Sequence, residues 1–277
     1  MGAFSLEKFR RELPSQYINV GVAEQNLVSV AAGLALGGKK VIIYTIASFI
    51  TQRSYEQVKI DLCSMHLPVV IVGVGAGITY GSDGHTHHAL QDIAIMRALP
   101  GITILNPSDP VMSAASALIG MTNNGPTYVR IDKGRIPIIY EKSERFAEGM
   151  ALLRKGKDVT IVTTGLMVHQ ALALAEELSG CGIEAGVIDL YRLKPIYGDL
   201  LVKFLKSTSR VVTLEEHSII GGLGSIVCEI LSDACLKMPV KRVAVADKNL
   251  ERYGSREWMH ACYKLDSKAI YDACING

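Results

Sequence analysis

Residues 69–89 read Val-Val-Ile-Val-Gly-Val-Gly-Ala-Gly-Ile-Thr-Tyr-Gly-Ser-Asp-Gly-His-Thr-His-His-Ala. A β-branched apolar run feeds directly into a loop of glycines and acid–base groups, and a helical pattern follows. A short, uninterrupted apolar run closed by glycine reads as a strand buried on both faces, the kind found in parallel sheets covered by helices. In such sheets ligands bind beyond the carboxyl ends of the strands, which is where this loop lies. Gly75, Gly77, Gly81 and Gly84 let backbone approach a ligand closely. Asp83, His85, His87 and His88 put titratable groups in the same loop. A solvated polar turn and a metal site are the rival readings. Metal is disfavoured because only Asp and His are present and no second cluster occurs elsewhere, so catalysis is preferred.

Outward from this stretch, β-runs alternate with helical patterns along the whole chain, which predicts α/β architecture with mainly parallel sheets flanked by helices. Strands are expected at 40–44, 69–74, 102–105 and 127–131, with helices near 24–36, 52–64, 89–98 and 109–122. The polar stretch 141–157 breaks the pattern and reads as a linker. Two domains are therefore expected, at 1–140 and 158–277. In the second, strands are expected at 159–163, 185–190, 210–214 and 240–245. Its helices are expected at 167–178, 197–205 and 223–232 and near 256–262 and 266–274. Residues 1–17 supply a polar, helix-like piece and no leading strand, so either a partner provides that strand or the reading frame begins late.

Upstream, Glu24 opens a helix whose run from Leu27 to Leu36 is apolar on nearly every side, which predicts burial all round. A carboxylate at the mouth of a buried helix is costly unless paired. A heterocyclic cofactor nitrogen is one candidate partner, and favourable placement on the helix dipole is the plain alternative.

Composition narrows the function classes. Across 277 residues the hydrophobic fraction is 49% with only 6% aromatic, so the apolar excess is aliphatic and suits buried strands and a large subunit interface. A net charge of +2 gives no electrostatic case for nucleic acid or an anionic membrane. Arg10-Arg11 and Lys39-Lys40 read as solvated surface. The apolar stretch 69–78 is too short to span a bilayer, and no basic-then-apolar leader opens the chain. The six cysteines are scattered without metal or redox spacing; Cys228, Cys235 and Cys262 are expected in the core, and the chain reads as reduced and cytoplasmic.

An ordered set of motifs carries a family resemblance. Gly-Val-Ala-Glu-Gln-Asn at 21–26 with Ala-Ala-Gly-Leu-Ala at 31–35 resembles the pyrimidine-binding domain of the transketolase family. So do Phe49, Arg-Ser-Tyr-Glu-Gln-Val at 53–58, Asp-Gly-His-Thr-His at 83–87 and Asp-Ile-Ala-Ile-Met-Arg-Ala-Leu-Pro at 92–100. The second half is similar to the family's C-terminal domain through Asp-Val-Thr-Ile-Val-Thr-Thr-Gly at 158–165, Leu-Lys-Pro-Ile at 193–196 and Glu-Glu-His-Ser-Ile-Ile-Gly-Gly-Leu-Gly-Ser at 215–225. The resemblance implies thiamine diphosphate chemistry. It places Glu24 against N1′ of the aminopyrimidine, Phe49 on the pyrimidine face, and Arg53 on the cofactor side. It puts His87 beside the aminopyrimidine and the substrate carbonyl, and Asp83 on a substrate hydroxyl. His88 becomes a further substrate donor, and Arg130 a ligand for a substrate phosphate, with a surface ion pair as its rival.

Two departures matter. Gly75 stands where members acting on sugar phosphates often carry a second His, and Ile46 where many have a first stacking Phe. The pattern therefore points toward specialised sugar metabolism. The Gly-Asp-Gly start and downstream Asn of the diphosphate-and-metal domain have no counterpart here. Gly221-Gly-Leu-Gly is read as close packing at a helix start, with a nucleotide cradle as the rival. The resemblance thus implies the C-terminal subunit of a split transketolase, with no metal ligands of its own. An N-terminal partner would carry the diphosphate and Mg2+ or Ca2+, in an expected heterotetramer. A 1-deoxyxylulose-5-phosphate synthase-like activity, the β subunit of a 2-oxo acid dehydrogenase and a non-catalytic scaffold are the alternatives.

Overall fold

The alternation organises, in a computed structural model describing residues 6–142 and 144–276, into two five-stranded sheets. The first unit runs α1 (Glu7–Glu12), α2 (Glu24–Leu36), β1 (Val41–Ile46), α3 (Tyr55–Gln57), β2 (Val69–Val74), α4 (Asp92–Arg97), β3 (Thr103–Leu105), α5 (Pro110–Thr122) and β4 (Thr127–Ile131). The second runs β5 (Ala151–Arg154), β6 (Val159–Thr163), α6 (Met167–Gly180), β7 (Ala185–Asp189), β8 (Arg192–Lys194), α7 (Gly198–Leu205), β9 (Val211–Ser218), α8 (Leu223–Asp233), β10 (Val240–Val245), α9 (Arg256–Tyr263) and α10 (Ser267–Asn276). The expected N-terminal helical piece is α1; residues 1–5 lie outside the described range.

β1, β2, β4 and β3 pair in parallel, with Val69–Val74 set beside Val41–Ile46 on one side and Thr127–Ile131 on the other. The apolar β2 is thus a central strand, and the loop after it opens at the carboxyl edge of the sheet. The second sheet has the order β10-β9-β6-β7-β5, parallel except for β5. A continuous apolar core links the units, running from Val28 and Ile71 through Met96 to Leu193, Leu205 and Val227.

Four expectations need correction. The linker is not featureless: Ala151–Arg154 forms β5, an edge strand antiparallel to β7, and Tyr140 and Phe146 are buried edge-on against Tyr191. β8 was not anticipated, because three residues give no periodicity; it leaves the second unit and pairs antiparallel with β3 of the first sheet. The helix expected at 52–64 begins at Phe49 and is wide-turned over Phe49–Arg53 and Val58–Ser64. There Thr51 and Ser54 hydroxyls donate to the carbonyls of Ala47 and Ile50, competing with the helical ladder. Lastly, α2 is buried on one side only, through Glu24, Val28, Ala31 and Ala32, while Leu36 and the preceding Val22 are exposed.

The cysteines also differ from expectation. Cys63 and Cys274 are the buried ones, their thiols pushed up to about 11 by burial, while Cys235 is exposed and Cys228 and Cys262 are half-buried. Among the described residues no helix is long and apolar enough to cross a membrane, and no side-chain cluster could hold a metal ion.

Candidate active site

Three segments far apart in sequence converge beside the β2 loop. Glu24 stands in the first turn of α2, where the helix N-terminus favours negative charge, and it is 6% exposed. Its Oε2 accepts a 2.8 Å hydrogen bond from Arg53 Nη1, at the end of the wide-turned segment. The Arg53 guanidinium lies 4.3 Å from the centroid of Phe49, and the opposite end of this chain of contacts is His87, edge-on to Phe49 at 5.0 Å. Glu24, Arg53, Phe49 and His87 are thus contiguous. The carboxylate expected to call for a partner has one within the chain, a planar N–H donor lying on an aromatic face.

The loop itself is shaped by its glycines. Gly75 has φ +90°, and a Cβ there would overlap the Tyr80 ring at 2.1 Å. Tyr80 therefore occupies the space a side chain at 75 would need, and its ring stands 5.9 Å from His87 and 5.1 Å from Lys133 Nζ. Burial raises the Tyr80 phenol pKa, aided by Tyr44 and Asp83. Asp83 ends a short 3-10 turn and is exposed, as is His85. Thr86 ties the loop down: its carbonyl accepts from Ser48 Oγ, and its hydroxyl shares a 3.0 Å hydrogen bond with His87 Nδ1. His88 is 2% exposed and faces inward, and burial lowers its pKa against the opposing Tyr80 and Gly81 backbone.

The comparisons with known proteins bear on this geometry. Residues 2–138 match the family model described as transketolase, pyrimidine binding domain, and residues 149–270 match transketolase, C-terminal domain. The chain is 39% identical to one of the two apulose-4-phosphate transketolase subunits of Phocaeicola vulgatus, over 97% of this chain and 86% of that protein. It is also 39% identical to the 6-deoxy-6-sulfo-D-fructose transketolase subunit SqwH of Clostridium sp. strain MSTE9, over 99% and 84%. A solved structure described as a split gene transketolase, inactive beta4 tetramer, superposes with a TM-score of 0.89 at 35% identity, covering 100% of this chain and 88% of that one. The chain belongs to the transketolase family.

As a transketolase-family subunit, a transferase, it corresponds to the C-terminal part of a split transketolase. The structure corrects both readings of Arg130. The side chain is neither at the surface nor in the loop: it is 4% exposed, with Nε donating to Asp92 Oδ2 at 2.7 Å and Nη2 to the carbonyls of Ala89 and Glu216. Tyr128 donates to the same Asp92 oxygen. Arg130 is an internal brace between the two units, so this geometry offers no guanidinium there for a substrate phosphate. The nearby cation that sequence reasoning missed is Lys133, three residues on and exposed.

The nucleotide-cradle reading of Gly221-Gly-Leu-Gly also fails. Glu215 fills that helix start, accepting from Leu223 N and from Gly224 N at 2.8 Å, and a Cβ on Gly222 would meet its carboxylate. The protein's own carboxylate takes the place an anion would occupy. Burial raises the Glu215 pKa to about 7 although both N–H groups oppose it. The adjacent Glu216 behaves oppositely. It faces Arg256 and His260 and accepts from Ile78 N, in the active-site loop. Burial alone would raise its pKa, but Arg256 and His260 overcome this and hold it at about 2.

Proposed function

We propose that this chain contributes the pyrimidine-side half of a two-subunit transketolase that moves a two-carbon ketol unit from a ketose to an aldose. The observation that carries the reading is the seat formed by Glu24 and Phe49, with His87 beside it. That seat takes a flat N–H donor, as the Arg53 guanidinium demonstrates by lying on the ring while bonding the carboxylate. A buried carboxylate next to an aromatic face suits the edge and face of an aminopyrimidine, so the residues fit thiamine diphosphate. When bound, that cofactor supplies the nucleophilic carbon that adds to the ketose carbonyl.

The chain's own residues then have separable roles. Glu24 hydrogen-bonds the ring nitrogen, in a setting of low dielectric where the interaction is strong. Phe49 supplies flat area that fixes the ring plane, with Arg53 beside it on the cofactor side. His87, in contact with Phe49 and Tyr80, stands where it can donate to a substrate carbonyl oxygen. Asp83 reaches a substrate hydroxyl from the exposed limb of the loop. His88, buried, supports the loop from behind. The diphosphate and its Mg2+ or Ca2+ belong to an N-terminal partner subunit, and the exposed Val22 and Leu36 around α2 supply apolar surface for that assembly, a heterotetramer in the cytoplasm. The relative described as an inactive beta4 tetramer supports the need for a second subunit.

A second reading has its own support. A 1-deoxy-D-xylulose-5-phosphate synthase of Crocosphaera subtropica is 40% identical over 88% of this chain, which spans 39% of that protein. Mixing the chain with its N-terminal partner, thiamine diphosphate and magnesium tests both. Ketol transfer between sugars supports the main reading, whereas condensation of pyruvate with an aldose phosphate replaces it with the second.

A further inference from the structure

The β2 loop is held from the other side by the second unit. Between β10 and α9 the chain leaves the sheet and runs back over residues 77–88, anchored in the core by Leu250. Tyr253 shares a 2.8 Å hydrogen bond with His85 Nδ1, the two rings stacked at 26° with centroids 6.3 Å apart. The same ring lies 6.1 Å from that of His88 and backs Gly84, where an added Cβ would touch it at 3.4 Å.

Tyr253 is itself fixed on both sides. Arg252 donates through its N–H to the Tyr263 hydroxyl, which donates back to the Arg252 carbonyl. Gly254 is wedged between Gly81, whose Cβ would meet the Gly254 carbonyl at 2.4 Å, and the Trp258 ring. Two residues on, Arg256 grips Asp132 at the end of β4 and Glu216 in β9. A tyrosine so braced and yet 44% exposed sits at the mouth of the site as a fixed wall.

We propose that Tyr253 is a positioning residue by which the second unit sets the outer limb of the loop, Gly84–His85, and thereby how tightly the sugar is held. This rests on the ketol-transfer reading. Its contacts fall on the limb bearing Asp83 and His85, away from the Glu24–Phe49 seat. The expected signature is therefore in substrate binding and not in cofactor binding or the chemical step.

In the reconstituted complex, Tyr253→Phe keeps the ring over Gly84 and removes only the hydroxyl. A neutral hydrogen bond of this kind corresponds to about three- to tenfold. KM for the sugar rises by that factor, while kcat stays within about twofold and thiamine diphosphate affinity is unchanged. Tyr253→Ala, which also uncovers Gly84, raises KM further. In a His85→Ala background Tyr253→Phe has no additional effect, because its hydroxyl acts through that histidine. An unchanged KM in Tyr253→Phe overturns the proposal, as does a parallel fall of kcat and melting temperature with KM unmoved.

NMR titration of the histidine ring protons in the chain itself reads the contact without any turnover. Tyr253→Phe shifts the His85 midpoint and leaves those of His66 and His169 in place; an unmoved His85 refutes the pair. A wild-type complex without ketol transfer counts against the functional reading, while this titration still decides the Tyr253–His85 contact.

Discussion

At Glu24 a buried carboxylate meets a half-exposed guanidinium, and the two halves of that pair have different consequences. An ion pair with one partner largely in solvent is worth about 0–1 kcal/mol, so Glu24→Gln should leave the melting temperature nearly unchanged. The amide still fills the space but cannot act on a ring nitrogen as the acid does, and turnover of the complex should fall at least ~100-fold. Steady-state kinetics beside calorimetry checks both halves. His87→Ala should lower kcat with cofactor affinity retained, and His85→Ala should be milder; the reverse order would displace the proposed register of the loop. Gly75 bears on substrate charge. With Tyr80 filling that space and Arg130 bonded internally, two donors expected for a phosphate are missing. A lost charged partner corresponds to ~1.5–3 kcal/mol, about one to two decades in affinity. Xylulose 5-phosphate should accordingly be a poorer donor than some modified ketose, as kcat/KM across a panel will show. Glu24, Phe49, Asp83 and His87 were legible because each sits in a contiguous motif. Tyr253 and the internal role of Arg130 were not, because their partners lie up to 168 residues away and no local pattern announces them.

Among the elements, β9 carries two adjacent glutamates with opposite electrostatics, and pH separates them. The folded pKa of Glu216, at about 2, lies below the ordinary value of 4.5, so its ionised form favours the fold. That contribution is complete above 4.5 and is lost as pH falls toward 2. Glu216→Gln should flatten this acid limb in urea melts, and at neutral pH should cost ~3–5 kcal/mol, because Arg256 and His260 lose their charge partner. Glu215 has the reverse sign: with a pKa raised to about 7, it favours the fold in its protonated form, below 4.5, and that advantage disappears as pH rises through 7. Strands and long helices of this region were readable from apolar periodicity, as with Val159–Thr163 and Val240–Val245. β5 and β8 escaped because one is half-exposed along its length and the other is three residues long, and both exist only through the neighbour they pair with.

For the whole molecule, the decisive expectation is dependence on a partner. The purified chain should show no ketol transfer with thiamine diphosphate and magnesium, and titration with the N-terminal subunit should restore it to a saturating stoichiometry. Robust turnover by the chain alone would refute the two-subunit reading. The two-unit α/β plan was visible in the alternation of strands and helices; the way the units interlock was not. That interlocking governs how the molecule can be inherited. β8 is encoded with the second unit yet completes the edge of the first sheet, and Tyr253 is encoded near the end of the chain yet shapes a loop encoded near its beginning. A crossover between relatives placed in the polar stretch near residue 145 would hand the first unit a foreign edge strand and a foreign wall for its site. The two halves should therefore recombine poorly as independent cassettes, and hybrid genes joined there should regain function only when β8, Tyr253 and their counterparts in the first unit descend from the same parent.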